Sequence, residues 1–350
     1  MIHGGDVEGY ISKYNRMPLD FSANVNPFGM PDAVKHAVIK ALDRADRYPD
    51  PLCRKLAAAL SVKEEVPQED ILCGNGAADL IYRLVLALKP KRAVIPFPTF
   101  GEYEQALKLV GCRVYSHFLK PERAFLLDES ILEALTSKVN LLFLCNPNNP
   151  TGQVITPELL DSILRRCARQ KITVLLDECF QGFLAPEFSD SRVRELDRYP
   201  NLVILKAFTK LYAMAGIRLG YLLCSDTTLI NRCAVTGQPW AVSSLAQAAG
   251  IAALKEAEYL KTSQDYICRE REWMKNRLSR LGITCIGSHA NYLFFRSPIE
   301  FLPLRLEQEG ILIRSCDNYR GMPPGYCRVA VRTREENEIL IGTLKKIRKA

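Results

Sequence analysis

Lys210, Asp177 and Asn149 each follow a short apolar run, and between them they carry the groups needed to work on a bound aldehyde. Lys210 lies in Ala207-Phe-Thr-Lys-Leu-Tyr-Ala-Met-Ala-Gly-Ile-Arg-Leu-Gly220, directly behind the apolar residues 202–205. Its amine would attach to an aldehyde carbon and later move protons at a substrate α-carbon. Asp177 follows residues 172–176, and a carboxylate there would keep a neighbouring pyridine nitrogen protonated. Asn149, in Asn146-Pro-Asn-Asn-Pro-Thr-Gly152 behind residues 141–144, offers a polar partner to a phenolic oxygen. Taken singly, Asp177 reads equally well as a strand-end cap; a surface role for Lys210 is opposed by the apolar run before it and the Gly-Ile-Arg-Leu-Gly run after it. Taken together, the three describe a site for pyridoxal 5'-phosphate.

A phosphate needs its own cradle. Cys73-Gly-Asn-Gly-Ala-Ala-Asp79 passes from a strand into a helix, so free N–H groups of Gly76 and Ala77 would point at an anion. Glycines at such turns are also common for steric reasons, and the full dinucleotide fingerprint is absent. Arg218 is placed for a bidentate phosphate contact, and Phe100 would stack on a pyridine face or serve as an ordinary core aromatic.

The elements that must carry these residues alternate along the chain. Helical periodicity covers residues 31–42, 76–88, 101–110 and 157–170. Between these lie runs at 92–95, 112–115, 141–144, 172–176, 202–205 and 219–223, mostly apolar on both faces. That pattern predicts an α/β fold with a mostly parallel sheet covered on both sides. Ligands then sit outside the carboxyl ends of the strands, where all three chemical residues fall. A helical stretch at 244–281 with a break is followed by strand 291–296, helix 301–309, strand 311–314, strand 326–332 and helix 334–348. The expected organisation is an N-terminal arm (1–31), a large cofactor-binding domain (32–240) and a smaller C-terminal α+β domain (241–350).

Composition narrows the alternatives. At 48% hydrophobic and 25% charged, the chain reads as globular, and no apolar run is long enough for a bilayer. The first residues lack the basic and apolar regions of a secretory signal, so a cytoplasmic protein is expected. A net charge of +8 is spread among acidic residues, which argues against a nucleic-acid partner. Twelve cysteines contain no Cys-x-x-Cys pair and four histidines lack ligand spacing, so no metal site and no disulfide framework are expected.

The same residues resemble the fold-type I pyridoxal phosphate enzymes, in the branch that contains histidinol-phosphate aminotransferase. The motifs carrying the resemblance are Arg47-Tyr-Pro-Asp50, Gly74-Asn-Gly76, residues 146–152, Asp177-Glu178 and Thr209-Lys210 through Gly220. By this resemblance Thr209 joins the phosphate contacts. Tyr48 reaches the cofactor phosphate of the neighbouring subunit, which implies a homodimer with shared sites. Further stretches are similar to the branch's L-threonine-O-3-phosphate decarboxylases of cobalamin biosynthesis: His3-Gly-Gly5, residues 20–29, Ala290-Asn-Tyr-Leu293, and 311–319 leading to 326–332. Carried over, Arg314 and Arg328 bind the anionic groups of a small phosphorylated amino acid, with His3, Asn24 and Tyr48 in the same pocket. The bottom-up reading puts both arginines at strand ends, where guanidinium groups suit phosphate and carboxylate.

Two positions depart from the branch. Phe180 stands where aminotransferases carry a tyrosine, which leaves Asn149 as the partner of the phenolic oxygen. Ala207 replaces a serine, so cofactor retention should weaken by about 1 kcal/mol for one lost hydrogen bond. From residues alone, decarboxylation and transamination stay open, because the choice depends on which substrate bond stands perpendicular to the ring. The resemblance implies decarboxylation of L-threonine O-3-phosphate, with L-serine O-phosphate decarboxylation and histidinol-phosphate or aromatic amino acid transamination as alternatives.

Overall fold

Successive side chains of the central strands, buried on alternate faces, build the molecule around one large sheet. Leu142, Leu144, Val174, Leu176, Leu202 and Ile204 face one apolar cluster. Their neighbours Leu141, Phe143, Leu175, Val203 and Leu205 face another on the opposite side. Strands buried on both faces in this way require helices above and below. The amphipathic helix Pro157–Gln170 supplies Leu160, Ile163 and Leu164 to the first cluster. Gly76–Leu88 supplies Leu80, Ile81, Leu84 and Val85 to the second. Thr156 caps the first of these helices by accepting from the Leu159 N–H, with Pro157 in its opening turn.

The computed structural model describes residues 4–188 and 190–349. In spatial order its seven-stranded sheet runs Ile71–Gly74, Gly220–Leu223, Leu202–Ala207, Thr173–Asp177, Leu141–Cys145, Arg92–Phe97, Arg113–Phe118. All pairings are parallel except those of Gly220–Leu223, which is antiparallel to both neighbours. That strand follows Leu202–Ala207 after a return whose one helix, Phe208–Leu211, is a single turn, without the full helix that usually carries a parallel crossover.

The expected helix at 244–281 is two helices, Ser244–Ala253 and Ala257–Arg280. The second packs on a four-stranded antiparallel sheet, ordered Arg314–Ser315, Tyr326–Ala330, Tyr292–Arg296, Cys285–Ile286. Two expectations need correction here. The single strand expected at 311–314 is split: Ile311–Leu312 pairs in parallel with Leu19–Asp20, and Arg314–Ser315 joins the four-stranded sheet. The cause is the N-terminal arm, whose Leu19 and Phe21 N–H groups bond to Gly310 and Leu312 carbonyls at 2.9 and 2.8 Å. Arg328 is not at a strand end but third in Tyr326–Ala330, opposite Phe294 and Arg314.

The large sheet and the four-stranded unit touch at Gly152. Its φ of +68° is in the left-handed region, and an added Cβ would lie 2.7 Å from the Ser288 Cα. The surrounding backbone bonds, Ser288 N–H to Thr151 O and His289 N–H to Gly152 O, leave little room for relief. Gly152→Ala should therefore lose about 1–3 kcal/mol of unfolding free energy from backbone strain, more if the loop cannot shift. Chemical denaturation of the wild type and variant side by side measures this.

Candidate active site

Three adjacent parallel strands end at a cavity of about 360 Å³, within the range of small-molecule sites at roughly 300–1,000 Å³. Asp177 closes its strand, Asn149 lies four residues past Leu141–Cys145, and Lys210 lies three past Leu202–Ala207. All three line the cavity, together with Ala77, Phe100, Thr209 and Arg218. Asn24, Arg314 and Arg328 close it from the N-terminal arm and the four-stranded sheet.

Asp177 is buried, and loss of solvent pushes its carboxyl above the usual range. Hydrogen bonds from Cys179, its thiol first, and from Tyr103 oppose that shift. The Tyr103 hydroxyl donates to Oδ2 at 2.6 Å and the Cys179 N–H donates to Oδ1 at 2.9 Å. Lys210 moves the other way: burial first, then the Arg328 charge, pull its amine down to about 8. The side chain reaches the cavity, so its amine, more readily neutral than an ordinary lysine's, lies where a ligand enters.

Asn149 is oriented by its surroundings. Its Oδ1 accepts from Arg328 Nη1 and, at 3.3 Å, from the Tyr319 hydroxyl. With the oxygen committed to two donors, the Nδ2 hydrogens are left to face a ligand oxygen. Arg328 also donates from Nη2 to the Ser22 carbonyl at 2.8 Å, while its Nε is buried without a partner among the described residues. The Arg314 guanidinium lies 5.1 Å from the Tyr319 ring centroid and donates to Asn318 at 2.7 Å. Asn24 is more telling. Its amide is buried, and neither Oδ1 nor Nδ2 has a partner among the described residues. Such a group costs free energy unless a ligand or water completes it.

The phosphate end is built from backbone. Gly76 opens its helix at φ +81°, and a Cβ there would stand 2.6 Å from Arg218 Nη2. Glycine is thus what lets the guanidinium lie over the helix N-terminus, where Ala77 lines the cavity. A pyridine ring carrying an aldehyde, a phenolic oxygen and a phosphate fits this set of donors. Ala207 lines the floor and offers no hydroxyl. Phe180 lines it too, edge-on to Tyr292 at 5.2 Å. The Tyr292 hydroxyl is already committed to the Asn148 carbonyl at 2.7 Å.

Of the described residues named from sequence, Tyr48 is not brought to the cavity, and Gly76 lies behind its wall rather than in the lining. Tyr48 is 80% exposed, with its ring stacked on Trp240 at 4.5 Å. His3 lies outside the described residues. Sequence reasoning missed Tyr103 and Tyr319, and also Ser22 and Glu102 at the cavity wall. Among the described residues no group of three or more His, Cys, Asp or Glu could hold a metal ion, and all twelve cysteines are free.

Comparison with known proteins agrees with this geometry. Residues 16–344 match the family profile of class I and II aminotransferases. The chain is 39% identical to the threonine-phosphate decarboxylase of Salmonella typhimurium, covering 99% of this chain and 96% of that one. The crystal structure of the histidinol-phosphate aminotransferase from Clostridium acetobutylicum superposes with a TM-score of 0.88 at 29% identity, over 95% of this chain and 99% of that one. The L-threonine-O-3-phosphate decarboxylase from Porphyromonas gingivalis gives 0.85 at 26% identity, over 95% and 100%.

A lysine shifted down loses its proton, and becomes nucleophilic, at lower pH than an ordinary one. In protein freed of cofactor, labelling of Lys210 by an amine-reactive reagent should rise with a midpoint near pH 8, whereas exposed lysines respond near 10.4. Peptide mapping across a pH series reads both. A Lys210 midpoint equal to that of the exposed lysines would refute the electrostatic picture.

Proposed function

The chain belongs to the class I and II aminotransferase family, and on that premise we propose that it decarboxylates L-threonine O-3-phosphate to (R)-1-amino-2-propanol O-2-phosphate, using pyridoxal 5'-phosphate. The observation that carries the reading is the end-to-end similarity to a threonine-phosphate decarboxylase, at 39% identity. In this reading the product feeds the cobalamin nucleotide loop.

Bound pyridoxal phosphate supplies a ring that accepts the electron pair left when the bond from Cα to the carboxylate breaks. The rest falls to the chain's own residues. Lys210 would hold the cofactor at its aldehyde carbon with loss of water, and its amine, freed there by the incoming substrate amine, would then deliver a proton to Cα in place of the departed carbon dioxide. Asp177 holds the ring nitrogen protonated. Asn149 donates to the phenolic oxygen. Gly76 and Ala77 N–H groups, the Thr209 hydroxyl and Arg218 hold the cofactor phosphate, with Phe100 against the ring. Arg314, Arg328, Asn24 and His3 take the substrate's phosphate and carboxylate.

Tyr48 enters this scheme only from a second copy. Its exposure and its stacking on Trp240 support a homodimer in which Tyr48 of the partner subunit completes each site. Among the described residues no helix is long and apolar enough to cross a membrane. We propose a cytoplasmic setting for the enzyme.

Incubation with L-threonine O-3-phosphate should release one carbon dioxide per amine formed, and Lys210→Ala should abolish release. Glutamate formed from histidinol phosphate and 2-oxoglutarate, with no gas from threonine phosphate, would replace this reading with transamination. L-Serine O-phosphate lacks one methyl group, worth about 1–3 kcal/mol in an apolar pocket, so its kcat/KM should be roughly ten-fold to two-hundred-fold lower. Both constants come from the same gas-release assay.

A further inference from the structure

Asp177 has to stay ionised in a place that favours the neutral acid. The titratable groups facing it are the Cys145 and Cys179 thiols and the Tyr103 and Tyr292 phenols. Burial pushes every one of them up toward its protonated, uncharged form. The carboxylate's support is therefore its hydrogen bonds. Cys179 gives two, one from its thiol and one from its backbone N–H. The remaining one comes from the Tyr103 hydroxyl.

Tyr103 is held for this task. It lies in the helix Glu102–Leu109 with no solvent exposure. Its ring stacks on Phe143 at 4.8 Å with planes 18° apart, and Phe100 meets it edge-on at 5.6 Å. A ring wedged this way gives its hydroxyl one position, 2.6 Å from Asp177 Oδ2. Charge-assisted bonds of that length are among the stronger ones in proteins.

We propose that Tyr103 is a positioning residue that keeps Asp177 ionised and turned toward the cofactor's ring nitrogen. The proposal rests on the pyridoxal phosphate reading above. It does not depend on whether the enzyme decarboxylates or transaminates, since both need a protonated ring.

The test compares two cofactors on Tyr103→Phe, which keeps the ring packing and loses only the hydroxyl. Cofactor-free protein is titrated with pyridoxal phosphate and with the analogue that has carbon in place of the ring nitrogen. Affinity for pyridoxal phosphate should fall about tenfold, the size of one hydrogen bond to a charged group. Affinity for the analogue should not change, because it offers Asp177 no nitrogen to meet. In an Asp177→Asn background the Tyr103→Phe change should have no effect on either. Equal losses for both cofactors would mean a merely structural role, and no loss for either would mean no role; each overturns the proposal. Wild-type protein that takes up neither cofactor would overturn the pyridoxal phosphate reading, and the proposal with it.

Discussion

The site depends on the register of three neighbouring strands. Hydrogen-bond ladders align Cys145 with Asp177 and Asp177 with Leu205, so the ends of Leu141–Cys145, Thr173–Asp177 and Leu202–Ala207 arrive at one level. Asn149, Asp177 and Lys210 are then brought to one cavity by backbone geometry before any side chain chooses a rotamer. What fixes the register is burial on both faces. A slip by one residue would exchange the Leu142 and Leu144 side for the Leu141 and Phe143 side against two different helix layers. The same slip would turn Asp177 out of the cavity. Core packing and chemistry are therefore set by one alignment.

Charge is the second organising factor. Lys210, Arg218, Arg314 and Arg328 line a cavity whose carboxylates are Asp177 and Glu102. Burial and the charge of Arg328 both pull protons off Lys210. An anionic ligand relieves this excess, which a phosphorylated cofactor and a phosphorylated, carboxylate-bearing substrate would do together. The cavity's surplus is local. The +8 of the whole chain is spread over a surface where acidic and basic residues pair, as in Lys13 with Glu307 and Lys346 with Glu309.

Sequence periodicity revealed most of the frame because the frame is made by periodicity. Gly76–Leu88 and Pro157–Gln170 fall where their glycine and proline signals put them, and the strands are the apolar runs. What stayed hidden depends on the third dimension. Tyr103 reads as one more core position of an amphipathic helix, and only the folded sheet shows its hydroxyl against Asp177. The helix Arg54–Glu64 carries a thin apolar stripe, Leu56, Ala57 and Leu60, among charged residues and gives a faint pattern. The split at Ile313 could not be read locally, since it is caused by the N-terminal arm nearly three hundred residues away. Asn24 was named through resemblance. Its unpartnered amide is a property of the folded cavity.

Phe180 and Ala207 change how the ligand's polar edge must be held. Neither offers a hydroxyl, and the nearby Tyr292 has already given its own to Asn148. The phenolic oxygen of the proposed cofactor is left to Asn149 Nδ2. That amide is turned by Arg328 and Tyr319, which both donate to its oxygen. Arg328 is also the proposed partner of a substrate carboxylate, and it still carries a buried Nε without a partner among the described residues. A carboxylate drawing on Arg328 would therefore pull on the group that orients Asn149. On that proposal, substrate arrival and the cofactor's polar contact would be coupled through Asn149 Oδ1. An additional tyrosine hydroxyl at position 180 would have loosened that coupling by giving the phenolic oxygen a second partner.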